Sequence, residues 1–456
     1  MVSHQNGFVL REPGEKSRDV IQRDIKTLSP SYTRSYGFAV DHGQGAEVWD
    51  VDGNRYIDFA AGIAVLSTGY SHPRVVKAIT DQAQKYLHIG GTDFFCPKPV
   101  ELAERLQQIV PIHHTAPEDK LVYFANSGTE SIEAALKLAR YQEGRSHVIA
   151  FYGGFHGRTM GSLSLTASKY KQREGYPYIP GGVTHIPYPS RAECDDCGEG
   201  SDCSDQSWCD AVAFIEKFVL KMVSPSEIAA VVVEPIQGEG GYLVPRDDFF
   251  PKLREFCDKH GILLVVDEIQ SGVGRSGKFT ALEHWGVAAD IVCLAKGLGS
   301  GMPIGAVVAS NKVMGQWVPG AHASTFGGNP VSCAAALATL DVFEEEGLLA
   351  HVTELGDYTL DRLTRFKADH PILKRIDGKG FMIGLDFVDA NGEPAPKLRD
   401  AVVNQCYLDG LLTLGCGANG IRFAPPLVLT RELLDEGLMI LERAIAHIEE
   451  EMWETT

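Results

Sequence analysis

A lysine stands directly after an apolar run and directly before a glycine-rich turn in Ile291-Val-Cys-Leu-Ala-Lys296-Gly-Leu-Gly-Ser-Gly301. An amine held at the end of a buried strand is partly desolvated, which lowers its pKa and makes it a nucleophile. The plain alternative is a lysine that buries its stem and keeps its head in water. A second apolar run, Ile262-Leu-Leu-Val-Val-Asp267-Glu-Ile-Gln270, ends on a carboxylate. Buried, that carboxylate needs a partner: a cationic ring nitrogen, a helix N-terminus or a core ion pair. Asn126-Ser127-Gly128-Thr129-Glu130 puts hydroxyls and a glycine at the start of a helical pattern. That is either a phosphate cradle of free N–H groups or an ordinary capping box. Tyr152-Gly-Gly-Phe155-His156-Gly157-Arg158 offers an aromatic face for a planar ring and a guanidinium for a carboxylate. Two further segments set charged residues among glycines and prolines, Glu234-Pro-Ile-Gln-Gly-Glu239-Gly-Gly241 and Gly420-Ile-Arg422-Phe-Ala-Pro-Pro426.

Each feature alone is a weak signal. Together they are the parts that one phosphorylated pyridine aldehyde requires: a lysine for a Schiff base, an acid for the pyridinium nitrogen, donors for the phosphate and an aromatic face for the ring. The combination points to pyridoxal 5′-phosphate.

Such groups must be held at the ends of buried strands. Leu121–Ala125, His147–Phe151, Ala229–Val233, Ile262–Val266, Ile291–Ala295 and Ile304–Ala309 read as strands. Their near-continuous apolar character, without alternation, predicts burial on both faces and a parallel α/β sheet. Helical patterns over Glu130–Arg140, Asp248–His260 and Ala334–Glu346 intervene or follow. Alternating apolar residues on both sides of Val51-Asp-Gly-Asn54 predict a hairpin. The expected organisation is an N-terminal arm and part of a small domain over 1–70, a large cofactor-binding domain over 71–335, and a C-terminal small domain over 336–456.

The chain has 456 residues, 42 Lys+Arg against 60 Asp+Glu and a formal net charge of −18. An acidic surface argues against nucleic acid as a partner, because phosphate backbones need a basic face. No run reaches the ~18 apolar residues of a membrane span, and the start has no secretory pattern. Six of the ten cysteines are scattered, several of them in apolar runs, so a reducing cytoplasm is expected.

The segments Val266-Asp-Glu-Ile-Gln-Ser-Gly-Val-Gly-Arg275, Glu234-Pro-Ile-Gln-Gly-Glu-Gly-Gly241 and Ala295-Lys-Gly-Leu-Gly299 resemble the class III pyridoxal-phosphate aminotransferases of fold type I. The resemblance extends over about residues 45–445 and is greatest to the 4-aminobutyrate branch. It implies a mainly parallel seven-stranded sheet flanked by helices, plus a smaller α+β domain built from the two terminal segments. It implies that Lys296 carries the cofactor, Asp267 pairs with its pyridine nitrogen, and Gln270 reaches its phenolic oxygen. Ser127, Gly128 and Thr129 would cradle the phosphate, completed by Thr325 of a neighbouring subunit in a homodimer, with a dimer of dimers as a further possibility. Phe155 would stack on the ring with His156 beside it, and Glu234 would belong to the same shell.

For the substrate, the resemblance implies that Arg158 holds a distal carboxylate and Arg422 the α-carboxylate of glutamate or 2-oxoglutarate. Glu239 would neutralise Arg422 while an ω-amino donor is bound, and Ile63 stands where ornithine-specific relatives carry a tyrosine. The implied activity moves an amino group from an ω-amino acid to 2-oxoglutarate in a ping-pong cycle. Amino acid racemisation, the ornithine, acetylornithine, lysine and β-alanine transaminases, and a non-catalytic cofactor-binding role stay open. Cys194, Cys197, Cys203 and Cys209 lie in a Cys-rich insertion over 191–210. Four thiolates suffice for structural zinc, although the spacing is not that of a paired CxxC ribbon.

Overall fold

A computed structural model describes residues 3–5, 8–10, 13–141, 144–190 and 209–454 of the chain. Its centre is a seven-stranded sheet in the order Lys120–Ala125, Gly305–Ser310, Ile291–Leu294, Leu263–Asp267, Ile228–Val233, His147–Phe151, Val183–Ile186. Every residue of Ile228–Val233 and Leu263–Asp267 is buried. Their alternate side chains enter two separate cores: Val231, Val233, Leu264 and Val266 pack into one, Ala230, Val232, Leu263 and Val265 into the other. A strand covered on both faces cannot alternate with polar residues, which is why these runs read as unbroken apolar segments.

One expectation needs correction: Ile304–Ala309 reads as one of the parallel strands, but the strand Gly305–Ser310 runs antiparallel to both neighbours. The link from Leu294 to Gly305 is too short for a parallel crossover, so the chain turns back beside the strand it has just left. The seventh strand, Val183–Ile186, lies at the sheet edge and has three of four residues only partly buried, so it lacks the apolar run of its neighbours.

The hairpin forms as its pattern predicts, with Glu47–Asp50 antiparallel to Arg55–Asp58. It joins Val40–Gln44 and Leu411–Leu412 in one four-stranded sheet. A second contains Leu373–Lys379, Met382–Phe387, Gly420–Phe423 and Leu414–Cys416. Early and late chain segments thus share a sheet, and Arg422 stands on one of these strands. The long helix Pro330–Glu345 starts with Pro330 and is capped by Asn329, whose side chain accepts from the N–H groups of Val331 and Ser332. Among the described residues no helix is long and apolar enough to cross a membrane.

Candidate active site

The functional segments converge at one edge of the large sheet. Asn126, Tyr152, Glu234 and Asp267 stand at or just beyond the C-terminal ends of four mutually parallel strands, and Lys296 two residues beyond a fifth. Carboxyl ends of parallel strands are where open α/β sheets gather their ligands.

Asp267 is 3% exposed. Its Oδ1 accepts from the N–H of Ile269 at 3.0 Å, and its Oδ2 lies 2.8 Å from His156 Nδ1. Burial alone would suppress the charge on His156. The hydrogen bond and the charge of Asp267, followed by Glu234, outweigh it and hold the imidazole above its ordinary pKa. Glu234 is buried too, and its carboxyl is pushed up to about 7, mainly by desolvation and further by Asp267. It accepts from the N–H groups of Phe155 at 2.9 Å and Gly238 at 3.0 Å, tying two site loops together.

Lys296 has φ +38°, in the left-handed region that non-glycine residues rarely occupy. Its pKa is lowered by burial; the charges of Asp267, Glu234 and Glu239 pull it up, and that of Arg422 pushes it further down. All four groups therefore lie within electrostatic reach of one depressed amine, the state a nucleophilic lysine needs. Gln270 is buried; its Oε1 accepts from Tyr242 Oη at 2.9 Å and from Arg422 Nη1 at 3.5 Å.

Ser127 caps the helix Gly128–Arg140, accepting from the Glu130 N–H at 3.4 Å, while Glu130 Oε2 accepts from the Asn126 N–H at 2.6 Å. The N–H groups of Gly128 and Thr129 belong to the first turn, where no carbonyl of the same helix can reach them. A Cβ on Gly128 would sit 2.7 Å from Ile269 Cγ2, so the turn packs directly on the Asp267–Gln270 segment. The Thr129 hydroxyl lies 2.8 Å from Thr159 Oγ1 and 2.7 Å from Ser162 Oγ. Free first-turn amides, a buried acid and a depressed amine at one sheet edge fit the phosphate, ring nitrogen and aldehyde of pyridoxal phosphate.

Arg422 is 3% exposed. Its Nη2 lies 2.7 Å from Glu239 Oε1 and donates to the Gly415 carbonyl at 2.9 Å, while its Nε is buried with no hydrogen-bond partner among the described residues. Arg158 is exposed, forms no ion pair with a described residue, and stands 5.9 Å from the centroid of the half-buried Phe155 ring. Ile63 is 44% exposed in Ala61–Ala64, a turn whose four residues all have φ between +47° and +67°. Asp58 anchors this left-handed turn, accepting from the N–H groups of Ala60 at 2.7 Å and Ala61 at 3.1 Å. Thr325 is exposed in the loop preceding Asn329.

Sequence reasoning missed Tyr242, one residue past the Gly240-Gly241 pair that ended its motif, and the Thr159 and Ser162 hydroxyls around Thr129. It also missed Lys169, whose Nζ lies 3.6 Å from Glu239 Oε2; a lysine in a polar stretch gives no pattern to read. Of the four clustered cysteines, Cys194, Cys197 and Cys203 lie outside the described residues, and Cys209 is half-buried. Three of the four thiolates of the expected zinc set thus lie outside them.

Residues 28–445 match the family described as aminotransferase class-III. The chain is 36% identical over 444 residues to an alanine/serine racemase of Pyrococcus horikoshii, covering 96% of this chain and 92% of the relative. It is 38% identical over 410 residues to a probable 4-aminobutyrate aminotransferase of Bacillus subtilis, covering 88% and 92%. A solved structure of the ornithine aminotransferase from Toxoplasma gondii, with pyridoxal phosphate partly occupying its active site, superposes with a TM-score of 0.83 at 30% identity, covering 97% of both chains.

Proposed function

Because the chain belongs to the class III aminotransferases, which are pyridoxal-phosphate-dependent enzymes, we propose that it transfers the amino group of an ω-amino acid such as 4-aminobutyrate to 2-oxoglutarate, leaving an aldehyde and glutamate. The observation that carries this reading is the unequal state of the two arginines. Arg422 is closed by Glu239 at 2.7 Å, whereas Arg158 is exposed and unpaired among the described residues. A donor with a single carboxylate far from its amine is served by Arg158 and has no use for an open Arg422. An uncompensated guanidinium beside an apolar methylene chain would cost more than the pair.

Bound at this edge, pyridoxal phosphate supplies an aldehyde for amine exchange and a ring that accepts electrons from the substrate carbon. Asp267, oriented by His156, would hold the ring nitrogen charged. The N–H groups of Ser127–Thr129 would hold the phosphate, with Thr325 of a second copy, and Phe155 would cover the ring. Lys296 Nζ would take the proton from the substrate carbon that bears nitrogen. Arg422, released from Glu239, would clamp the α-carboxylate of the oxo acid.

Racemisation needs a second acid–base group on the opposite ring face. His156 Nδ1 is held at 2.8 Å by Asp267, the acid that would meet the ring nitrogen, which favours transamination. The test is a panel of 4-aminobutyrate, ornithine, acetylornithine, lysine and simple α-amino acids with 2-oxoglutarate. Fastest glutamate formation with 4-aminobutyrate or a homologous ω-amino acid is expected. A preference for α-amino donors, or D-isomer formed from L-alanine or L-leucine without any oxo acid, overturns the assignment.

A further inference from the structure

Glu239 lies between two cations. One carboxylate oxygen is 2.7 Å from Arg422 Nη2 and the other is 3.6 Å from Lys169 Nζ. The two cations differ in setting: the Arg422 side chain is 4% exposed and that of Lys169 is 46% exposed, and Lys169 has no other ion-pair partner among the described residues. The backbone around Glu239 is pinned. Its carbonyl accepts from the Gly417 N–H at 2.9 Å. Two residues on, Arg375 Nη2 donates to the Gly241 carbonyl at 2.6 Å and Nη1 to that of Tyr242 at 3.1 Å. Arg375 is itself held by both carboxylate oxygens of Asp386. A pinned main chain leaves side-chain rotation as the way for Glu239 to leave Arg422. A carboxylate that leaves one buried cation needs another charge or water to receive it.

We propose that Lys169 is the alternate partner of Glu239, receiving its carboxylate when the α-carboxylate of a dicarboxylic 2-oxo acid takes Arg422. The inference rests on the transaminase reading above and adds a positioning residue to it. Lys169 acts through Glu239 and sets how readily the buried arginine opens. The surrounding charges agree: burial would raise the Glu239 carboxyl, yet Arg422 and then Lys169 hold it below its ordinary pKa. The exposure of Lys169 also fits a docking point at the mouth of the site, where a displaced carboxylate keeps part of its hydration.

The test compares Lys169→Met, Lys169→Arg, Glu239→Gln and the Lys169→Met/Glu239→Gln pair in the holoenzyme, with separate KM values for donor and for 2-oxoglutarate, and calorimetric binding of glutarate as a non-reacting dicarboxylate. Lys169→Met raises the 2-oxoglutarate KM and weakens glutarate binding by about fivefold, the upper range for a partly exposed pair. The donor KM does not rise, because the Glu239–Arg422 pair is then more often closed. Lys169→Arg restores most of the loss. In the Glu239→Gln background, Lys169→Met adds less than about twofold, the mark of action through that carboxylate. An unchanged 2-oxoglutarate KM in Lys169→Met overturns the proposal, as does an effect that persists in the Glu239→Gln background. An equal rise in donor KM overturns it by making Lys169 a direct holder of the distal carboxylate. A wild-type enzyme that does not use 2-oxoglutarate overturns the transaminase reading together with this one, whereas wild-type turnover with additive double mutants overturns only this one.

Discussion

Asp267 and Glu234 stand at or just past strand ends and His156 in the loop that follows a third strand; all three are at most 5% exposed and are fixed to one another or to backbone N–H groups. Ile63, Arg158 and Lys169 sit on loops and turns, exposed or partly so, and the nearby Glu239 has two cations within reach. The first set would meet the cofactor, the second the substrate. A group that must keep one protonation state gains from a dry, over-determined setting. Groups that must accept different ligands in the two halves of one cycle need hydration and alternative partners. The contrast also accounts for a family in which chains about equally similar to this one include racemases and transaminases of several donors. The buried half can stay constant while the loops diverge.

The contrast can be broken most severely at Lys296. Lys296→Ala should lower turnover by at least about 10⁴-fold, the combined effect of losing the nucleophile and the proton carrier. Borohydride reduction of the wild-type holoenzyme should label the peptide containing residue 296, and the variant should yield no labelled peptide. Wild-type-like turnover in the variant would remove the mechanism.

Asp267→Asn should lower kcat by about 10²–10³-fold, the range for loss of one preorganised electrostatic group. It should also lower the pKa of the His156 imidazole, because burial is then opposed by the charge of Glu234 alone. Histidine NMR of the variant titrated between pH 5 and 8 reports this directly. An unchanged His156 titration would mean that Asp267 does not set the charge at this edge.

On the substrate side the effect should be smaller and confined to binding. Arg158→Ala should raise the 4-aminobutyrate KM about tenfold, the loss of one charge-assisted hydrogen-bonded contact in a partly wet setting, with little change in kcat. A kcat loss as large as that of Asp267→Asn would erase the distinction between the two halves.

The smallest expected effect is on stability. Gly62 has φ +60° inside the left-handed turn that displays Ile63, and a Cβ there would meet nothing nearer than Val65 Cβ at 4.0 Å. Gly62→Ala should therefore cost only the conformational preference, about 1 kcal/mol, and lower Tm by about 1–2 °C. A much larger loss in a thermal melt would mean that the turn is held more tightly than its exposure implies.

The strand ends were legible because of desolvation. Two-sided burial forces an unbroken apolar run, and Asp267 or Lys296 stands out at its boundary. The helix start at Ser127 was legible because the hydroxyl–glycine–acid spacing is local chemistry. The edge strand Val183–Ile186 was not, since partial exposure permits polar residues. The direction of Gly305–Ser310 was not, since an apolar run carries no sign of which way its neighbour points.

The amino-acid sequence by itself determined which residue types lie at the ends of buried strands, and so the kind of chemistry this chain can support. Only the tertiary structure decided the pairings: His156 with Asp267 across 111 positions, and Arg422 with Glu239 across 183. It also decided the left-handed turn under Ile63 and the place of Lys169 on the far side of Glu239. Apolar periodicity is a local property of the chain. The partner of a buried charge is fixed by which strand ends and loops the folded sheet brings together.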